Sequence, residues 1–228
     1  MFRITAACLF LVVLVSVGHS QDTKLLIPYV PEDANAIAVI RAKELKASPL
    51  GVKQNWAEQQ ASNFLSGATT IPPWVDVLMR ASYLRPGSKG GDWSVFLTPL
   101  PKDHSMEEVA KRQGSEIEMI EDQHVVWSPR YEGYFVEFHS SDTERVLAGM
   151  TPATHQDTAR WIQDSLKESF RTQLSSYLRD AAADESSQIV LAIDLEHFFD
   201  PTVIRYRLDG SSILDNNRSA KAVLTLDF

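Results

Sequence analysis

The chain has 228 residues, of which 22 are basic and 30 acidic, giving a net charge of −8 at pH 7. This acidic balance argues against nucleic acid or an anionic membrane surface as a partner. A hydrophobic content of 44% with five tryptophans excludes a disordered chain, and the length suffices for one large domain or two small ones.

The N-terminus has the pattern of a secretory signal peptide. A charged start precedes an apolar run over residues 4–17 and a small-residue exit ending at Ser20. Residues 1–20 are therefore predicted to be removed near Ser20, leaving a periplasmic or extracellular protein. A retained anchor is the alternative, although a spanning helix needs about 20 apolar residues. Cleavage also removes Cys8, the only cysteine, which excludes thiol and disulfide chemistry from the mature chain.

The first predicted unit is a strand followed by a helix. The apolar run from Ala36 to Ile40 has the length of a buried strand. Ser48 and Pro49 supply an N-cap and a first-turn proline for a helix that ends near Gly67.

The next segment is predicted to be helical again over residues 71–84, because large apolar side chains recur there at helical spacing. Residues 93–97 read as a strand, and Ser105 with Glu108 forms a capping-box pattern for a helix to about Arg112.

A period of two beginning at Ser115 predicts an antiparallel meander with one wet face. Pairing Ser128 with Gly133 across the turn places His124 opposite Glu137, with His139 on the same face. These three side chains could form a pH-sensitive or metal-binding group. The alternative is an ordinary cross-strand ion pair on a solvated face.

Two more helices are predicted after the meander. A short one covers residues 142–149, and a long one begins at the Thr154 and Asp157 capping box and runs to about Asp180. The long helix is expected to be the main buttress of the sheet, with Leu166 and Phe170 on its buried stripe.

The chain ends as it begins, with a strand near residues 188–194 and an N-cap at Asp200 before a proline. Sliding the sequence by 152 residues superimposes four pairs without a gap, namely Ile37 on Ile189, Val39 on Leu191, Glu44 on Glu196 and Pro49 on Pro201. Either a repeat or a coincidence explains this echo. We expect the two apolar strands to be neighbours in one sheet. The last strand, residues 222–228, should form an edge open to self-association, as in the front part of a longer protein.

Together these elements predict an α+β fold, a mostly antiparallel sheet with helices packed on one face and a strand-helix repeat beginning near residues 36 and 188. The expected division is a signal peptide over 1–20, a domain over 21–183 and a strand-helix-strand unit over 184–228.

Three segments resemble exported bacterial proteins without a known activity. They read Pro31-x-Asp33-Ala34-x-Ala36-Ile37-Ala38-Val39-x-Arg41, Trp93-Ser94-Val95-Phe96 and Pro152-Ala153-x-x-Gln156-x-x-Ala159-Arg160-Trp161. The resemblance implies export and offers no active site to transfer to this chain.

One cluster could support catalysis. Asp194, Glu196 and His197 follow the second buried strand, where Glu196 could act as a base and His197 as an acid or metal ligand. The alternative is that this polar loop collects acids because they solvate it and cap the next helix.

The other residue types point to binding. Neither a nucleophile motif nor paired-cysteine spacing is present, and no cofactor is predicted. Trp127 and Tyr131, near the hairpin turn, are the aromatic residues expected to meet a ligand. The sequence therefore favours a non-catalytic exported binding or cell-envelope domain, with an envelope protein or its own copy as partner. A metal-assisted or acid-base hydrolase is the alternative.

Overall fold

The computed structural model describes residues 20–84, 92–141, 143–167, 174–194 and 221–226. The predicted signal peptide lies outside these ranges except for Ser20, as do Glu196, His197 and the expected cap at Asp200. Within the described ranges, no helix combines the length and the apolar character needed to cross a membrane.

A single antiparallel sheet organises the described chain. Its strands are β1 (Ala36–Ile40), β2 (Leu78–Tyr83), β3 (Trp93–Pro99), β4 (Ile117–Ile120), β5 (Gln123–Ser128), β6 (Gly133–His139), β7 (Arg145–Thr151), β8 (Ile189–Asp194) and β9 (Lys221–Leu226). They lie in the order β4-β5-β6-β7-β3-β2-β1-β8-β9, and every neighbouring pair is antiparallel. The predicted α+β class with an antiparallel sheet is confirmed.

The helices are α1 (Ser20–Leu26), α2 (Ala42–Ala47), α3 (Pro49–Lys53), α4 (Trp56–Leu65), α5 (Met106–Gln113), α6 (His155–Leu166) and α7 (Ser176–Ala182), with a 3₁₀ turn at Ile27–Tyr29. Side chains of a strand alternate between the two faces of its sheet. One face, here called the core face, carries the fully buried Val39, Val95 and Phe138 and packs against α1, α6 and α7.

The opposite face, here called the cavity face, carries Phe96, Phe135 and Leu147 and packs against α5. Helices therefore cover both faces of the sheet, whereas the sequence predicted them on one. A second, smaller apolar cluster forms under α5, and it provides the framework for the site described below.

Two predicted helices are strands. Residues 71–84 contain β2, and residues 142–149 lead into β7. Both strands lie inside the sheet, with β2 between β1 and β3 and β7 between β3 and β6. In β7 apolar residues follow one another on both faces, so the period of two that would identify the strand is weakened. In β2, Met79 and Ala81 do alternate with Arg80 and Ser82, but the strand is short and the large apolar residues before it have helical spacing.

The predicted long helix is two helices, α6 and α7, and Phe170 lies outside the described residues. The Thr154 and Asp157 capping box is present, as expected. Leu166 is 49% exposed, so the prediction that it is buried is wrong. The buttress is formed instead by Trp161 and Ile162, with the Trp161 indole donating a hydrogen bond of 3.0 Å to the Tyr29 carbonyl oxygen.

The expectation that the two apolar strands are neighbours is confirmed, because β1 pairs directly with β8 and Val39 lies opposite Val190. The exact shift of 152 residues is not reproduced. It equates Val39, on the core face, with Leu191, which lies on the opposite face and is 39% exposed. A twofold axis that relates two antiparallel neighbouring strands stands perpendicular to the sheet, so it keeps each side chain on its own face. A shift that moves a side chain to the opposite face therefore does not describe such a repeat.

The last strand, β9, lies at one end of the described sheet, which agrees with its expected edge position. The division near residue 183 stays a prediction. On either side of that position, α7 and β8 contact one another, and both contact β1.

Candidate ligand cavity

A cavity of about 1010 Å³ lies on the cavity face. Its floor is the sheet, its roof is α4 with the segment 70–75, and one side is α5. Most of the lining is apolar, and the volume is that of a pocket for a small organic molecule.

The floor is an aromatic row that crosses four strands. Arg80 pairs with Phe96, Phe96 with Gly149, and Gly149 with Phe135, so all four residues lie side by side on the cavity face. The two phenyl rings meet edge to face with their centroids 5.2 Å apart. A Cβ atom at Gly149 would lie 2.1 Å from the Phe96 ring, so any larger residue at this position would have to displace the ring.

The roof is held largely by polar bonds. No residue of α4 is buried, and Leu65 is 84% exposed. Lys46 donates to the Pro73 carbonyl oxygen at 3.0 Å, and Gln60 donates to that of Pro72 at the same distance. Lys46 is half-buried, and this desolvation lowers its pKa. A roof with few buried apolar contacts has low local stability, so it can change its position when a ligand binds.

One end of the cavity, here called the closed end, is lined by stacked aromatic rings. Trp74 stacks on His104 with ring centroids 4.8 Å apart, and His104 Nδ1 lies 2.8 Å from the Glu108 carboxylate. Arg145 fixes this corner by donating to the His104 carbonyl oxygen at 2.8 Å.

The other end, here called the mouth, is polar. Ser94 pairs with both Ser82 and Thr151 across the strands, so three hydroxyl groups lie in one row. Arg80 leans toward this row and donates to Ser94 Oγ at 3.0 Å. Arg112, at the C-terminal end of α5, lies over the Phe64 ring at 3.5 Å and donates to the Phe64 carbonyl oxygen at 2.6 Å.

The hairpin register is confirmed, with Ser128 opposite Gly133. His124 Nδ1 lies 3.5 Å from Glu137 Oε2, and His139 Nε2 lies 3.8 Å from Glu137 Oε1. The sequence missed the principal partner of Glu137. Arg145 donates to its carboxylate at 2.9 Å, and the Glu137 side chain is 6% exposed.

The ion pair of Glu137 and Arg145, here called the clamp, lies behind the closed end of the cavity. Arg145 joins buried Glu137 to the backbone of Pro101 and His104, which carries the Trp74 stack. Across the described part of the chain, no three His, Cys, Asp or Glu side chains are placed to hold a metal ion. The geometry thus lends no support to the predicted metal site at His124, Glu137 and His139.

The other predicted catalytic cluster is described only at Asp194. This residue is 8% exposed at the end of β8, and its backbone N–H donates to the Asn35 carbonyl oxygen at 2.8 Å. Because Glu196 and His197 lie outside the described residues, their predicted roles stay predictions.

The two aromatic residues predicted to meet a ligand lie on different faces of the sheet. Tyr131 lines the cavity. Trp127 lies on the core face, where its ring packs against Tyr134 at 4.9 Å. The alternation along β5 could have shown this difference, since Val126 on the cavity face directly precedes Trp127.

No protein-family model, curated protein or solved structure matches this chain. The resemblance to exported bacterial proteins therefore stays a prediction.

Proposed function

We propose that this protein is a non-catalytic, exported binding module that holds an apolar ligand in the cavity beneath α4. The observation that carries the proposal is a space of about 1010 Å³ with a mainly apolar lining. The space is partly open to solvent, and a partly enclosed apolar cleft of this size is typical of a small-molecule site. A ligand of matching size would bury this apolar lining and recover the dispersion contacts that it lacks.

The polar groups of the cavity are arranged for positioning rather than for nucleophilic chemistry. Among the described residues that line it, no serine hydroxyl is hydrogen-bonded to a histidine. Ser94 bonds to Ser82 and Arg80, Ser128 bonds to Gln113, and the Ser105 hydroxyl bonds to Glu107. A nucleophile needs an adjacent base, so these serines serve structure or ligand contact.

The predicted signal peptide supports export. Export also suits a carrier of apolar molecules, because such molecules need a carrier to cross an aqueous compartment. Of the hydrolase alternative centred on Asp194, Glu196 and His197, the structure describes Asp194 alone. A metal analysis of the purified protein tests it, since stoichiometric zinc or manganese lost in His197→Ala would support the hydrolase.

A fluorescence titration tests the binding proposal. The uncharged probe N-phenyl-1-naphthylamine brightens when it leaves water, and we expect saturable binding at one site. Ala61 lines the cavity from α4, whereas its neighbour Ser62 is exposed and does not line it. Ala61→Phe should therefore weaken binding by about tenfold or more, because its ring occupies ligand space. Ser62→Phe is the matched control and should bind as the wild type does.

Two results would contradict the proposal. One is an absence of saturable binding to the folded wild-type protein. The other is equal affinity in the wild type, Ala61→Phe and Ser62→Phe, which would place the probe elsewhere. Circular dichroism of each variant checks that the fold is kept.

A further inference from the structure

The cavity has two chemically different ends, and this asymmetry defines the class of ligand. We propose, building on the proposed function, that the ligand is a single-chain amphiphile with an anionic head. The head lies at the mouth beside Arg80 and Arg112, and the tail runs over Phe96 and Phe135 toward Trp74.

The sheet register sets this direction. Ser82, Ser94 and Thr151 form the hydroxyl row at the mouth, and the aromatic row of Phe96 and Phe135 follows one step further in. The next row on the same face contains Thr98 opposite Leu147. From Ser94 to Thr98 the floor is about 13 Å long at about 3.3 Å per residue, a length that suits an extended alkyl chain.

Helix α5 runs in the opposite direction, from the closed end to the mouth, and its contacts agree with this assignment of the two ends. Its first residue, Met106, packs in the cluster with Leu100 and Leu147. At its last residue, Gln113 accepts a hydrogen bond of 2.8 Å from Ser128, which lies opposite Gly133 at the mouth end of the sheet. Arg112 therefore belongs to the mouth, whereas His104 and the Trp74 stack lie at the closed end.

Neither mouth arginine has a carboxylate partner among the described residues. The Arg80 guanidinium donates to the Ser94 hydroxyl, and Arg112 donates to the carbonyl oxygens of Phe64 and Thr69. By contrast, Arg145 forms an ion pair with the Glu137 carboxylate at 2.9 Å. In a protein of net charge −8, two arginines that form no ion pair with any described residue give this opening a local positive charge.

The acidic group of the cavity lies away from the mouth. Glu108 is the carboxylate among the described lining residues, and His104 engages it at 2.8 Å on the closed side. An anionic head is therefore attracted to the mouth. Arginine suits this role because its planar guanidinium donates two parallel hydrogen bonds to a carboxylate or a phosphate.

The exposure of the two arginines fits the same arrangement. Both are solvent-exposed while they line the cavity. The head of the ligand thus stays hydrated, which avoids the cost of burying a charge, and only the tail leaves water.

Competition binding to the full chain tests this inference with ligands that share one tail. Dodecanoate, dodecyl phosphate and dodecanol are titrated against bound N-phenyl-1-naphthylamine. We expect at least one of the two anions to bind about tenfold more tightly than dodecanol. The preference should shrink as sodium chloride is raised, because both arginines are exposed to screening ions. Comparing the two anions identifies the preferred head.

The variants separate the charge from the cavity. Arg80→Gln should remove most of the preference for the anions over dodecanol, because it removes one of the two positive charges at the mouth and keeps a side chain that can bond to Ser94. Arg160→Gln is the matched control, because Arg160 is exposed on α6, which packs on the core face. The preference of Arg160→Gln for the anions over dodecanol should equal that of the wild type.

Three outcomes would overturn the inference. The first is equal binding of dodecanol and both anions to the wild type, which refutes the charged head but leaves an apolar cavity. The second is an undiminished preference in Arg80→Gln. The third is no binding of the probe or of any dodecyl compound, which refutes the proposed function as well.

Discussion

The contact between Gly149 and Phe96 links the stability of the fold to the size of the cavity. A Cβ atom at Gly149 would lie 2.1 Å from Cε1 of the Phe96 ring, whereas ordinary contacts begin at 3.4 Å. The ring would have to move by more than an ångström. Because Phe96 is only partly buried and lines the cavity, the free space into which it can swing is the space that we assign to the ligand.

We expect Gly149→Ala to lower the free energy of unfolding by about 1–3 kcal/mol, the usual cost of overpacking. The same change should weaken binding of N-phenyl-1-naphthylamine by about tenfold, since the displaced ring fills the cavity. Urea unfolding followed by circular dichroism measures the first effect, and the fluorescence titration measures the second.

Two further variants decide whether the ring is responsible. Phe96→Leu removes Cε1 and Cζ, the two ring atoms that would lie closest to the new Cβ atom, so Gly149→Ala should cost less than about 0.5 kcal/mol in that background. Gly133→Ala gives a contrasting collision, because its Cβ atom would lie 2.1 Å from the Met150 carbonyl oxygen, and backbone cannot swing aside. It should destabilise more than Gly149→Ala. Additive costs of Gly149→Ala and Phe96→Leu would refute the reasoning.

Three other changes test the surrounding structure by urea unfolding. Glu137→Gln should cost about 3 kcal/mol, because it leaves the Arg145 guanidinium partly buried without its anion; a loss below about 1 kcal/mol would disprove the clamp. Ile162→Ala should cost about 2–5 kcal/mol and Leu166→Ala below about 0.5 kcal/mol, since only the first is buried, and the reverse order would contradict the assigned face of α6. Hydrogen bonds from the capping threonine lower the pKa of Asp157, so its stabilising effect is present above the ordinary aspartate pKa and is lost as pH falls through the lowered value. Asp157→Asn should therefore lose less stability than the wild type between about pH 5 and pH 2, and equal losses would argue against the capping bond.

The local features were predictable from the sequence because short-range geometry determines them. A tight turn fixed the register of β5 and β6, so His124 was placed opposite Glu137 correctly. The capping box at Thr154 followed from residue types three positions apart.

The strands inside the sheet were harder to recognise. β7 has neighbours on both sides and apolar residues on both faces, so its sequence lacks a clear period. β2 alternates, but over six residues only, and the apolar residues before it have helical spacing. Arg80 was the available signal. A charged residue inside an apolar run marks a position that faces water or a ligand, and here it lies at the mouth.

The cavity itself could not be predicted from local patterns. Its walls come from α4, β2, β3, α5, β6 and β7, which meet only when the sheet order is known. The sequence did single out Tyr131, which lines the space, but the hydroxyl row and the Trp74 stack depend on pairings between distant segments.

Quenching of Trp74 by a bromine atom on the ligand tail tests the central claim most directly. Trp74 lies at the closed end of the cavity, whereas Trp161 is buried on the core face. Bromine quenches indole fluorescence only near contact, so titration with ω-bromododecanoate reports where the end of the tail lies. We expect saturable quenching in the wild type that is largely lost in Trp74→Phe. Equal quenching in both proteins, or none in either, would contradict a ligand tail held between the sheet and α4.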